Sequence, residues 1–145
     1  MIYTALTKKA MKIAFEAHKE QVDRGGLPYI YHPIHLAEQM DDENTICAAL
    51  LHDVIEDSSV TLEELERAGF PDKVLGALRA LVHDPKVPYM EYVAALRNDP
   101  IAAAVKLADL RHNSDLSRLD RVDERALARA EKYRKAIALL RGEEG

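Results

Sequence analysis

The sequence lacks any apolar run near the roughly 20 residues that a membrane-spanning helix needs. Its N-terminus also has no apolar core of a secretory signal, so we expect a protein that acts in the cytoplasm, away from membranes. Only one cysteine is present, Cys47, which excludes an internal disulfide framework and suits a reducing compartment. The apolar neighbours of Cys47 predict a buried packing residue and not a reactive thiol.

An excess of basic residues is absent too. The chain carries 20 Lys and Arg against 25 Asp and Glu, a formal net charge of −5. A groove for DNA or RNA would require the opposite balance, so we expect neither nucleic acid as a partner. Any anionic small molecule must instead be held by local cations or by a metal. The sequence leaves the oligomeric state open.

No repeat, low-complexity tract or linker divides the 145 residues, so we predict one domain over residues 1–145. Helix signals are strong and strand signals are nearly absent. A Gly- and Pro-containing segment at 22–31 is predicted to be a loop. The expected fold class is an all-α bundle of about seven or eight helices, with helices at about 4–21, 33–40, 43–56, 61–69, 71–82, 88–97, 99–115 and 123–141.

The most informative motif is Ala-Ala-Leu-Leu-His-Asp-Val-Ile-Glu-Asp at residues 48–57. His52 and Asp53 offer a nitrogen and an oxygen ligand within one turn. Glu56 and Asp57 follow Asp53 by three and four residues, so we expect them on the same helix face. Four ionisable groups behind an apolar run are costly unless a cation balances them. A divalent metal would do so.

Two further residues complete a possible ligand set. His32 precedes Pro33 at a loop-to-helix junction, and Asp109 lies within an apolar helix. Two His and two Asp side chains suit a cation such as Mn²⁺, Fe²⁺ or Zn²⁺. They leave coordination positions for water or phosphate, as a catalytic site requires.

Three segments together carry a family resemblance: residues 26–34 (Gly-Leu-Pro-Tyr-Ile-Tyr-His-Pro-Ile), residues 49–57, and residues 105–109 with Asn113. Their order, His, then His-Asp, then Asp, resembles the HD superfamily of metal-dependent phosphohydrolases. More closely, the chain resembles the hydrolase domain of the RelA/SpoT family and the stand-alone small alarmone hydrolases. The resemblance covers essentially the whole chain and implies a helical bundle of the HD type.

The resemblance implies roles for particular side chains. The metal, usually Mn²⁺, would be bound by His32, His52, Asp53 and Asp109. Glu56 and Asp57 would activate and orient the water, while Arg24 and Asn113 would contact the nucleotide. The reaction implied is removal of the 3′-pyrophosphate from (p)ppGpp, the nucleotide of the stringent response.

The substrate-contacting positions depart from the family pattern. Asp23 stands where a second basic residue is usual, and Asp115 also replaces a basic residue. These exchanges are expected to weaken binding of a tetra-anionic nucleotide. Lys106, Arg111 and Arg118 are the cations expected to compensate.

Two alternatives follow from these departures. One is an HD phosphohydrolase that acts on another nucleotide or phosphoester. The other is a non-catalytic metal- or nucleotide-binding module, against which the intact Glu56-Asp57 pair argues.

The other histidines and Tyr29 are not predicted to bind the metal. His35 is expected on a polar helix face, and His18 and His83 at the surface or at caps. His112 is open between packing and substrate contact. Tyr29 is expected to pack the loop and not to stack on a base.

Overall fold

The computed structural model describes residues 1–142, so the last three residues of the predicted domain lie outside the described part. Across residues 1–142 the regular structure is helical, which confirms the all-α prediction. The α-helices are α1 (Ala5–His18), α2 (Tyr31–Glu38), α3 (Glu43–Leu51), α4 (Val54–Asp57), α5 (Leu62–Arg67), α6 (Asp72–Leu81), α7 (Tyr89–Ala95), α8 (Pro100–Asn113) and α9 (Glu124–Leu140). Short 3-10 turns follow α7 and α8, at Leu96–Asn98 and Leu116–Arg118.

Side-chain caps start five of these helices. In each case a side-chain oxygen accepts a hydrogen bond from a backbone N–H of the first turn, which satisfies a donor that the helix itself leaves unpaired. The capping residues are Thr4, Asp42, Thr61, Asp99 and Asp123. Pro100 follows the Asp99 cap in the first turn of α8, where its missing N–H costs nothing.

Helix α3 forms the centre of the core. Every residue from Thr45 to Leu51 is buried, and α3 packs against α1, α2, α6 and α8. A helix that is apolar on all sides is stable only when neighbours surround it. Side chains at the ends of α3 are therefore held firmly by the core.

The predicted continuous helix at 43–56 is wrong. It breaks after Leu51, and α4 begins again at Val54, so α3 and α4 are two parts of one interrupted helix, and residues 1–142 form eight helical units. At the break, Nδ1 of His52 lies 2.7 Å from the Ala49 carbonyl oxygen, an acceptor that a continuous helix would use for its backbone. His52 remains buried at the break, and Asp53 is half-buried.

The packing of α2, α3 and α8 against one another positions the site. It brings together the His32 side chain of α2, the residues that follow α3, and Asp109 of α8. Among the residues that the structure describes, no helix is both long and apolar enough to cross a membrane.

Candidate metal centre

The four residues predicted as metal ligands meet at one point. His32, His52, Asp53 and Asp109 each present a nitrogen or oxygen atom, and these four atoms all lie within 4.8 Å of one another. His32, His52 and Asp109 are buried, and the side chain of Asp53 is 22% exposed. The cluster is thus enclosed on most sides yet open at Asp53.

The contacts within the cluster fit a cation. His52 Nε2 lies 2.9 Å from Asp53 Oδ2 and 3.4 Å from Asp109 Oδ1, and within the described residues this buried nitrogen has no well-aligned hydrogen-bond partner. Its Nδ1 lies against the Ala49 carbonyl, so Nε2 is the ring atom that faces the two carboxylates. Burial opposes a charge on His52, but Asp53 and Asp109 raise its pKa well above the usual value, so the metal-free ring is protonated at neutral pH. A divalent ion would take the place of the Nε2 proton and neutralise both carboxylates.

The charges in the cluster perturb one another strongly. Burial alone would raise the pKa of Asp109, but the hydrogen bond from His32, the close approach of His52 and the charge of Lys106 hold the pKa well below its usual range. Burial likewise opposes ionisation of Asp53, and the neighbouring His52 lowers its pKa. Both carboxylates are therefore ionised at neutral pH, as metal ligands must be.

Neighbouring side chains orient each ligand. The Tyr29 hydroxyl donates to Asp53 Oδ2, and His32 Nδ1 lies 2.7 Å from His112 Nδ1. Lys106 Nζ donates to Asp109 Oδ2 over 3.1 Å, while the amide of Asn113 donates to Asp109 Oδ1 over 3.0 Å. Such partners fix the orientation and basicity of metal ligands.

Two of these orienting roles were missed from sequence. Tyr29 was expected only to pack the loop, and His112 was undecided between packing and substrate contact. The only signal in the sequence was position: Tyr29 precedes His32 by three residues, just before α2 begins, and His112 follows Asp109 by three residues within α8.

A cleft of about 280 Å³ opens beside His32. We call it the arginine cleft because Arg24, Arg118 and Arg129 line it, together with Asn113 and Asp115. It collects the predicted nucleotide contacts Arg24 and Asn113. Arg111 is exposed on α8 and is not among the residues that line this cleft.

Asp23 lines this cleft, but neighbouring groups balance its negative charge. Its carboxylate accepts hydrogen bonds from the backbone N–H groups of Gly25 and Leu27, and Arg118 donates to it over 3.0 Å. Burial alone would raise the pKa of Asp23, but these hydrogen bonds together lower it. The residue that seemed to weaken anion binding therefore holds the 23–27 loop against Arg118.

A second cleft, of about 180 Å³, adjoins the other three ligands. We call it the tyrosine cleft because Tyr89 and Tyr92 line it, together with Lys106, Glu56 and His83. Glu56 Oε1 accepts a hydrogen bond from the backbone N–H of His83, which fixes the carboxylate in the wall of the cleft that Asp53 also lines.

Asp57, unlike Glu56, lines neither of these clefts. Both side chains are exposed, yet partial burial, and after it the charge of Asp53, raises the pKa of Asp57, so its carboxyl lies within electrostatic reach of the cluster. A shared role for the two acids stays a prediction.

The other histidines divide between confirmed and wrong predictions. His35 is exposed on α2, as expected, and its ring stacks on His112. His18 was expected at the surface or at a cap, and the surface position is wrong, because the residue is only 1% exposed; its Nδ1 lies 2.8 Å from Gln21 Oε1. Its ring is tilted by 52° against that of Tyr29, with the ring centres 4.8 Å apart.

Comparison with known protein families gives one match over most of the chain. The HD domain family matches residues 10–140.

Curated relatives match at about one third identity. A guanosine-3′,5′-bis(diphosphate) 3′-pyrophosphohydrolase of Aquifex aeolicus is 34% identical over 140 residues, which cover 88% of this chain and 19% of that protein. The bifunctional (p)ppGpp synthase/hydrolase SpoT of Escherichia coli is 34% identical over 120 residues, or 73% of this chain and 17% of SpoT. The chain thus spans less than one fifth of the length of these relatives.

Among solved structures, one similar chain is described as a metazoan orthologue of SpoT that hydrolyses ppGpp and plays a role in starvation responses. The match has a TM-score of 0.76 at 25% sequence identity. It covers all of this chain and 90% of the other.

Proposed function

This chain belongs to the HD domain family, and from that premise we propose that it hydrolyses (p)ppGpp, releasing the 3′-diphosphate. The observation that carries the proposal is the convergence of His32, His52, Asp53 and Asp109 at one point between two clefts. The names of the relatives supply the substrate class, since two of them describe action on the same nucleotide.

The four clustered residues would hold a single divalent ion, and we propose Mn²⁺, which the resemblance to the RelA/SpoT hydrolases implies and which two nitrogen and two oxygen ligands can bind. Such an ion, when bound, lowers the pKa of a coordinated water and offsets charge on phosphate oxygens. We assign Glu56 the role of accepting a proton from water, which its position in the wall of the tyrosine cleft that Asp53 also lines supports. Asp57 is proposed, as the second acid of the pair, to help orient that water, since its carboxylate is close enough to Asp53 and Glu56 for their charges to act on it.

The arginine cleft would bind the nucleotide. Arg24, Arg118 and Arg129 supply positive charge there, and Asn113 bridges the cleft to Asp109. Arg118 is already paired with Asp23, so Arg24 and Arg129 are the side chains proposed to contact phosphate. Lys106 lies on the other side of the cluster, and Arg111 is retained only as an exposed cation of α8.

The proposed setting follows from the substrate. We propose action in the cytoplasm as one domain, without DNA, RNA or membrane partners. The buried Cys47 thiol suits that reducing compartment.

Steady-state hydrolysis of ppGpp with added Mn²⁺ tests the proposal directly. We expect release of diphosphate and GDP, and loss of turnover in Glu56→Gln with metal content unchanged. An inactive protein that retains its metal would refute the substrate assignment, and an active Glu56→Gln would refute the role of Glu56.

Asp115 favours a second candidate, an HD phosphohydrolase of another nucleotide. Its carboxylate lies in the arginine cleft and is bonded only locally, to Ser117. A panel of purine and pyrimidine nucleotides decides between the two: turnover of another compound, with none of ppGpp, would establish this candidate.

A further inference from the structure

The cluster separates two clefts that share no lining residue. His32 forms part of the wall of the arginine cleft, whereas His52, Asp53 and Asp109 form part of the wall of the tyrosine cleft. The nucleotide is proposed to bind in the arginine cleft, so no ligand has yet been assigned to the tyrosine cleft.

The tyrosine cleft contains a buried ammonium group. The side chain of Lys106 is 14% exposed, and its Nζ lies 5.7 Å and 5.5 Å from the ring centres of Tyr89 and Tyr92. Asp109 takes one of the three N–H donors of Lys106, so donors remain for an anion that enters the cleft. The ammonium of Lys132 lies 4.1 Å from the ring centre of Tyr89, but Lys132 is exposed and does not line the cleft.

We propose that the tyrosine cleft is a separate site for diphosphate, the inorganic product of the reaction. The inference rests on the proposed function, because it divides that substrate at the cluster: the nucleoside part in the arginine cleft and the 3′-diphosphate in the tyrosine cleft. A volume of about 180 Å³ suits such a compact anion, whereas the arginine cleft, at about 280 Å³, is the larger of the two and is left for the nucleoside part.

This division of the substrate between the two clefts is consistent with the hydrolysis reaction. A water oxygen forms a bond to the phosphorus attached to O3′, and the bond from that phosphorus to O3′ breaks. One hydrogen of the water passes through Glu56 and solvent to O3′, and the other stays on the diphosphate. In-line attack comes from the side opposite O3′, which is the tyrosine cleft, where Glu56 lies.

The first test measures whether the two products bind independently. Inorganic diphosphate and GDP are titrated separately, and then together, into Mn²⁺-loaded protein by calorimetry, with metal content checked after each titration. We expect diphosphate to bind with the same affinity, within about twofold, whether or not GDP is saturating. Competition between the two would overturn the inference.

The second test places a charge in the cleft without touching a cluster residue. His83 lines the tyrosine cleft, and its imidazole Nε2 lies 2.7 Å from the Val87 carbonyl oxygen. We expect His83→Glu to weaken diphosphate binding about tenfold by repulsion and to leave GDP binding unchanged. The matched control, His83→Gln, should bind diphosphate within about threefold of the wild type. Equal diphosphate affinity in the two variants would contradict the assignment.

A third variant examines the ammonium itself. Lys106→Gln retains a donor near Asp109 but removes the charge, so diphosphate binding should weaken about ten- to one-hundredfold while GDP binding persists. Unchanged diphosphate affinity would overturn the inference. The proposed function is tested separately, and it fails if ppGpp is not turned over. In that case, independent binding of diphosphate would still establish the tyrosine cleft as a diphosphate site.

Discussion

The rings of His32 and His112 lie within 7° of parallel, and their Nδ1 atoms are 2.7 Å apart. One of these nitrogens must carry the shared hydrogen. A metal at His32 Nε2 requires the lone pair there, which assigns the hydrogen to His32 Nδ1 and makes His112 the acceptor. Burial, and after it the charges of Arg118, His32 and His35, lower the pKa of His112 to about 4, so His112 is neutral and can accept.

Removing His112 should therefore weaken metal binding without removing a ligand. We expect His112→Ala to lower Mn²⁺ affinity about ten- to one-hundredfold, because His32 loses the partner that fixes its tautomer and orientation. Chelator competition measures this affinity. His35→Ala is the control, since His35 stacks on His112 but does not contact the shared hydrogen. Equal affinities in the two variants would contradict the role of His112.

Asp109 should matter for stability as well as for metal binding. In Asp109→Ala the ammonium of Lys106 stays buried without its partner, so we expect a loss of about 3–5 kcal/mol in the free energy of unfolding. Urea denaturation of the metal-free protein isolates this effect, and elemental analysis should find the metal lost. An exposed acid on α5, Glu66, provides the control: Glu66→Ala should change the free energy by less than about 0.5 kcal/mol. A metal-free Asp109→Ala as stable as the wild type would refute the buried ion pair.

Two glycines should respond in opposite directions to alanine. A Cβ at Gly25 would collide with the backbone oxygen of Arg118, so Gly25→Ala must push apart two segments of the arginine cleft. We expect a loss of about 1–3 kcal/mol and weaker GDP binding. Gly76 lies within α6 with open space around it, and Gly76→Ala should stabilise the fold by about 0.5–1 kcal/mol. Thermal unfolding of both variants measures the difference, and a shift of the same sign in both would be inconsistent with the contact.

Cys47 should be unreactive in the folded protein. Burial raises the pKa of its thiol to about 12, so the thiolate that attacks alkylating reagents is scarce at pH 8. We expect labelling about a thousandfold slower than in urea, with a rate that rises with pH until it approaches that pKa. Mass spectrometry after iodoacetamide treatment reports the modified fraction. Rapid labelling of the folded protein at pH 8 would show that α3 is not enclosed as described.

Features set by neighbouring residues were predicted well from sequence. Asp99 and Pro100 specify the start of α8 through their own side chains, and the apolar run before His52 specifies a buried helix. The cluster itself was predictable because His32, His52-Asp53 and Asp109 stand in a recognisable order. Whether each of these residues can bind a metal depends on its nitrogen or oxygen atoms, which the residue type alone specifies.

Features that depend on distant partners were not predictable in the same way. Asp23 was interpreted as the loss of a basic residue that binds substrate. Its partner Arg118 lies 95 residues away, and no local sequence pattern predicts that ion pair. The break between α3 and α4 likewise depends on where the partners of His52 lie, which sequence spacing alone does not reveal. Lys106 was expected among the substrate contacts; the fold pairs it with Asp109 in the tyrosine cleft, apart from Arg24 in the arginine cleft, which sequence spacing does not reveal.

The ligand set also joins parts of the chain that are far apart in sequence. His32 and Asp109 are separated by 77 residues, with His52 and Asp53 between them. A bound ion would therefore act as a reversible cross-link that ties α2, the α3–α4 break and α8 into one unit. An ion that binds the folded chain and not the unfolded one stabilises it by about 2.7 kcal/mol at one hundred times its dissociation constant. The free metal concentration around the protein would then set how long it stays folded, as well as how fast it works.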